Sequence, residues 1–173
     1  MKNNNKGMTV IEVLIAIAII SIVICVTYSV YIANAKHIWR EELEAKLQNE
    51  AQIIEATFSQ LSMQTKGIED KDSSSPDKDN YYNINNLAMK SEDKIFNWII
   101  NNHELRLNVV NNEDGTFKEY SLSKNIEVFR IRPIDENSLE DAKIIEVLID
   151  LRKQKGFNDI IYPISMIITF RNK

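Results

Sequence analysis

The chain has 173 residues, a formal charge of −4 and one cysteine, Cys25. That length suits a single domain of ordinary size even if about 30 residues belong to a membrane. The charge balance gives no overall basic field that would favour nucleic acid, and one cysteine excludes an intrachain disulfide and a thiol-metal cluster.

Residues 1–7, MKNNNKG, are polar and carry Lys2 and Lys6. An apolar run follows from Met8 to about Ala33. It is long enough to span a bilayer, since about 20 residues at 1.5 Å each cross the hydrocarbon core. A secretory signal would have a shorter apolar core ending in an A-x-A-like site, and no such site ends this run. Orientation by positive residues is undecided, because Lys2 and Lys6 on one side face Lys36 and Arg40 on the other. Glu12 is the anomaly. A carboxylate near the start of a membrane segment either snorkels to the headgroups or has a partner and a function.

The order Lys6-Gly7-Met8-Thr9-Val10-Ile11-Glu12 followed by an apolar stretch resembles the prepilin signal of type IV pilins and type II secretion pseudopilins. Met8 stands in place of the usual Phe, and Ser29 stands where many major pilins carry a helix-bending Pro. The resemblance implies that a prepilin peptidase cuts between Gly7 and Met8 and N-methylates the new amine of Met8. Removing the leader takes two lysines and moves the formal charge from −4 to −6. It further implies that Thr9 and Glu12 are assembly residues, with the Glu12 carboxylate pairing to the terminal amine of a neighbouring subunit. Two charges that are each costly in lipid are better tolerated as a pair. Implied partners are other pilins and minor pilins, the peptidase, the inner-membrane assembly platform, and membrane lipid before assembly. The implied location is the cytoplasmic membrane with the C-terminal part outside, and afterwards a surface pilus or pseudopilus.

The helical pattern continues beyond the membrane run. Residues 36–66 contain no Gly or Pro, and Leu43, Leu47, Ala51, Ile54, Phe58 and Leu61 recur at spacings of three and four. Glu42, Lys46 and Glu50 lie on another face as i,i+4 charges. A helix from Thr9 to a stop at Gly67 would be about 87 Å long. Residues 67–90 read as a variable linker rich in Ser, Asp and Asn around Pro76, with Tyr81 and Tyr82 as anchors to the domain. Residues 91–100 fit either a helix capped by Ser91 or a first strand.

From His103 the period falls to two. Leu105, Leu107 and Val109 alternate with polar residues, Asn111 to Gly115 supplies turn chemistry, and Lys118, Tyr120 and Leu122 form a returning strand. Three further β-rich runs cover 125–134, 143–151 and 160–171, and Pro163 suits an edge or a strand start. The expected fold class is α+β and pilin-like: a long N-terminal helix whose second half packs on a C-terminal antiparallel sheet. The domain plan is leader 1–7, membrane or filament-core half-helix 8–35, amphipathic half-helix 36–66, linker 67–90 and sheet domain 91–173. The run LSKNIEVFRI followed after an acidic loop by KIIEVLIDLRK resembles the C-terminal part of PilW-type minor pilins and of pseudopilin J, which implies a minor subunit in a tip or initiation complex.

Chemistry is sparse. The four glycines permit neither a P-loop nor a dinucleotide fingerprint. His37 and His103 lack zinc-motif spacing, and Asp70, Asp72, Asp77 and Asp79 lack the ligand order of an EF-hand. Catalytic residues, cofactors and metals are therefore not expected. Two other readings compete with a structural filament subunit: a signal-anchored single-pass protein with an extracytoplasmic binding domain, and a DNA- or surface-binding tip pilin.

Overall fold

A computed structural model describes residues 9–73, 75–135, 138–156 and 158–171. Gly7 and Met8 lie outside the described residues. The chain divides into two compact units, Met1–Glu41 and Glu42–Lys173. One helix, α1 (Val10–Ser62), runs through both.

In the first unit α1 has the length and composition to cross a membrane, and its apolar side chains are exposed among the described residues. Three of its hydroxyls are satisfied by its own backbone. Ser21, Thr27 and Ser29 donate to the carbonyls of Ile17, Val23 and Cys25 at 2.8 Å each. This back-bonding to residue i−4 satisfies the donors of these three hydroxyls within the helix. With Ser29 where a Pro would stand, the helix passes through this point unbroken.

In the second unit the predicted stripe is the buried face of α1: Leu43, Leu47, Ala51, Ile54 and Phe58 are buried, and Leu61 is partly so. The helix ends at Ser62, before the expected stop at Gly67. Ser62 and Thr65 hydroxyls donate to the carbonyls of Ser59 and Ser62, and the Lys66 amide donates to Lys90 O at 2.8 Å. The last turn is thus closed locally, and Lys66 already belongs to the sheet.

The sheet comprises β1 (Gly67–Ser73), β2 (Tyr82–Lys90), β3 (Lys94–Asn101), β4 (Glu104–Asn111), β5 (Phe117–Ser123), β6 (Ile126–Pro133), β7 (Ile144–Lys155) and β8 (Asn158–Thr169). All pairings are antiparallel, in the order β5-β4-β3-β2-β6-β7-β8, with β1 also on β2. Residues 67–90 therefore differ from the expected linker: they supply two strands, and β2 joins the two halves of the sheet through Tyr82↔Ile131 and Asn83↔Arg130. Residues 91–100 resolve to a strand, β3. Pro163 lies in β8, an edge strand, where a missing N–H is tolerated.

Alternation explains the core. Ile145, Val147, Ile149 and Leu151 of β7 face inward with Ile126, Phe129 and Ile131 of β6 and Ile160, Ile164 and Ile168 of β8. Phe58 stacks on buried Trp98 with centroids 4.0 Å apart and meets Phe129 edge-on at 6.1 Å. Two links tie the helix and loops to this layer. Glu50 pairs with the sheet and not with the helix surface: its carboxylate accepts from Ser123 Oγ at 2.7 Å and Asn125 Nδ2 at 2.8 Å, with Lys153 Nζ at 3.6 Å. The β3–β4 turn places Asn102 and His103 at positive φ, 50° and 64°, as a two-residue hairpin loop requires. His103 is held there by two contacts with the start of β6: its carbonyl accepts from Ile126 N at 2.9 Å, and its Nδ1 lies 2.8 Å from Ile126 O.

Candidate assembly site at the start of the helix

Of the residues singled out by the sequence, Thr9 and Glu12 are among those described, and they meet at the first turn of α1. Thr9 precedes the helix and Glu12 occupies its third position. The Thr9 amide and hydroxyl both donate to Glu12 Oε2, at 2.8 and 2.9 Å, and the Glu12 amide donates back to Thr9 Oγ1 at 3.3 Å. This is a reciprocal capping box, in which two amides that a helix start leaves unpaired are satisfied by side chains. Its T-x-x-E spacing stands in the sequence at Thr9 and Glu12, although the sequence reading above assigns both residues to assembly alone. The carboxylate also complements the positive end of the helix dipole. Its side chain is thereby aimed at the N-terminal end of the helix.

The surface around this turn is apolar. Val10, Ile11 and Leu14 are largely exposed, so the carboxylate sits at the head of an uncovered hydrophobic rod. Comparison with known families matches residues 2–26 to the prokaryotic N-terminal methylation motif. That motif is the type IV pilin and pseudopilin signal. The match spans Gly7, Met8, Thr9 and Glu12 in one register and ends within the apolar run. Proteins carrying this motif form a structural class, assembling with other pilins after prepilin-type cleavage. Comparison with curated proteins and with solved structures returns no significant match for the chain.

Beyond the motif, the polar clusters of the sheet domain hold structure together. The Tyr81 hydroxyl donates to Glu146 at 2.9 Å while its ring lies under Arg132, 4.8 Å from the centroid, and Lys71 lies 4.3 Å over the Tyr82 ring. Both tyrosines thus anchor the β1–β2 connection, and burial together with the Glu146 hydrogen bond pushes the Tyr81 phenol up from its ordinary value. Asp77 Oδ1 accepts the amides of Asp79 and Tyr81, at 3.0 and 2.9 Å, closing the loop on itself. Among the described residues no three His, Cys, Asp or Glu side chains converge as a metal set.

Proposed function

We propose that this protein is a structural subunit of a type IV pilus-like filament, processed after Gly7 and N-methylated at Met8, whose assembly uses Glu12 as the partner of a neighbouring subunit's terminal amine. The observation that carries this reading is the methylation motif over 2–26 leading directly into an uncovered apolar helix. The geometry of the first turn adds support. Thr9 holds the Glu12 carboxylate towards the end of the helix at which cleavage would create the new amine. In hydrocarbon, an ammonium placed against that carboxylate would relieve the cost of both charges.

The uncovered apolar helix fits a rod that rests in the cytoplasmic membrane before assembly, with residues 42–173 on the outer side, and packs among like rods afterwards. A minor role, in a tip or initiation complex, accords with Ser29 in place of Pro and with the C-terminal strand pattern of β6 and β7. Intact mass of the membrane-extracted protein tests the processing step. The expected product begins at N-methylated Met8; a chain that retains Met1 in a peptidase-competent host would overturn the proposal in favour of a signal-anchored protein.

A further inference from the structure

The first unit ends in a second chemical boundary, at the other end of the apolar run from Glu12. Tyr28, Tyr31 and Trp39 are exposed on α1, at 65%, 67% and 52%, with Ile38 beside them at 62%. At 3.6 residues per turn the three rings fall within about 80° of one another on the helix surface. Lys36, His37 and Arg40 interleave with them, and the sign then reverses to Glu41, Glu42 and Glu44.

We propose that residues 28–40 form an interfacial anchor that seats this end of the helix in the phospholipid headgroup layer. The proposal rests on the membrane-spanning reading above and names the surface that fixes the depth of the span. With hydrocarbon beginning just past Glu12, about 20 residues reach its far edge near Ile32. Tyr31 then lies at that edge and Lys36 to Arg40 lie beyond it. Helix side chains lean towards the N-terminus, so Trp39 and the cations reach back over the preceding turn towards the lipid. Indole and phenol rings favour this layer because the ring stays apolar while N–H or O–H stays wet. Lys36 and Arg40 carry the charge that complements lipid phosphate, while the carboxylates that follow are engaged by protein cations: Glu41 lies 3.1 Å from His37 Nδ1, and Glu42 pairs with Lys46 and Lys155.

The two tryptophans make the test direct, because Trp98 is fully buried in the sheet domain and Trp39 is exposed. The full-length chain is reconstituted into phosphatidylcholine–phosphatidylglycerol vesicles carrying bromine either near the headgroup end or near the methyl end of the acyl chains. Flotation of the vesicles reports membrane association. The expected result is loss of Trp39 emission that is stronger with headgroup-proximal bromine, and that is absent in W39F, whose remaining Trp98 emission stays unquenched. Equal or deeper quenching, or none in vesicles that float with the protein, would overturn the anchor while leaving the membrane span intact. Quenching absent at every protein-to-lipid ratio would assign the aromatic face to a neighbouring subunit. Protein that fails to float overturns both the anchor and the span.

Discussion

The carboxylate of Glu12 has a local duty in the single chain before it meets any neighbour, because it caps the helix through Thr9. Two substitutions separate the roles. Glu12→Gln keeps an oxygen for Thr9 and removes the charge; Glu12→Ala removes both. Both variants are expected to insert into the membrane, and both to be lost from the sheared filament fraction, measured by immunoblot. A Gln variant that assembles normally would show that only the cap matters. Glu50 is a different kind of carboxylate. Ser123 is buried and donates to it, so Glu50→Ala leaves a buried hydroxyl without its acceptor and is expected to cost about 1–3 kcal/mol in denaturant unfolding. Surface carboxylates set the acid limit. Arg152 hydrogen bonds hold Asp159 below its ordinary value, and Arg106 and Ser121 do the same for Glu104. A lowered folded value means that the stabilisation is complete above the unfolded value and is lost as pH falls through the folded one. Thermal unfolding followed by circular dichroism should therefore be flat near neutrality and decline below about pH 4, with a smaller decline in high salt because these groups are solvent-exposed.

At the scale of elements, the sequence makes some features legible and hides others for physical reasons. The stripe Leu43-Leu47-Ala51-Ile54-Phe58 is legible because a helix must put residues three and four apart on one face, and the sheet covers that face. The hairpin β4–β5 is legible through alternation and through Gly115, which sits at φ 66° where a side chain would be strained. Strands β1 and β2 are not. GIEDKDS offers one aliphatic residue and YNINNLAMK is rich in Asn, a composition depleted in isolated strands. Their strand state comes from neighbours: β2 is bonded by β1 and β3 and touches β6, so tertiary pairing overrides local preference. Glu50 was likewise hidden, since its i,i+4 spacing from Lys46 looks like a surface pair until β5 and β6 bring Ser123 and Asn125 alongside. The joint between helix and sheet is sharpest at Phe58, packed against Trp98 and Phe129. Phe58→Ala should destabilise by about 3–5 kcal/mol, read by chemical denaturation with Trp98 emission as the probe.

At the scale of the molecule, the proposed cleavage after Gly7 would act through charge and a new terminus, with the fold left as it is. Under the proposed processing, loss of the leader would shift the formal charge from −4 to −6 and would create an ammonium one residue before the Thr9 cap. In a host lacking prepilin peptidase the full-length chain is expected to accumulate in the membrane fraction and to be absent from sheared filaments. Mass spectrometry and fractionation check both, and normal processing in that host would sink the filament-subunit reading.

A filament subunit, as proposed, would leave lipid and enter a packed protein rod without unfolding. Ser21, Thr27 and Ser29 bear on this transfer, because each hydroxyl already spends its proton on its own helix. From Ser21 to Ser29 these three hydroxyls carry their acceptors with them, so moving from acyl chains to neighbouring side chains would exchange one dispersion environment for another. The solvent could then change while the hydrogen bonds of these three hydroxyls stay constant, which would make extraction from the bilayer a matter of shape, of the tyrosines and of the charges at its two ends.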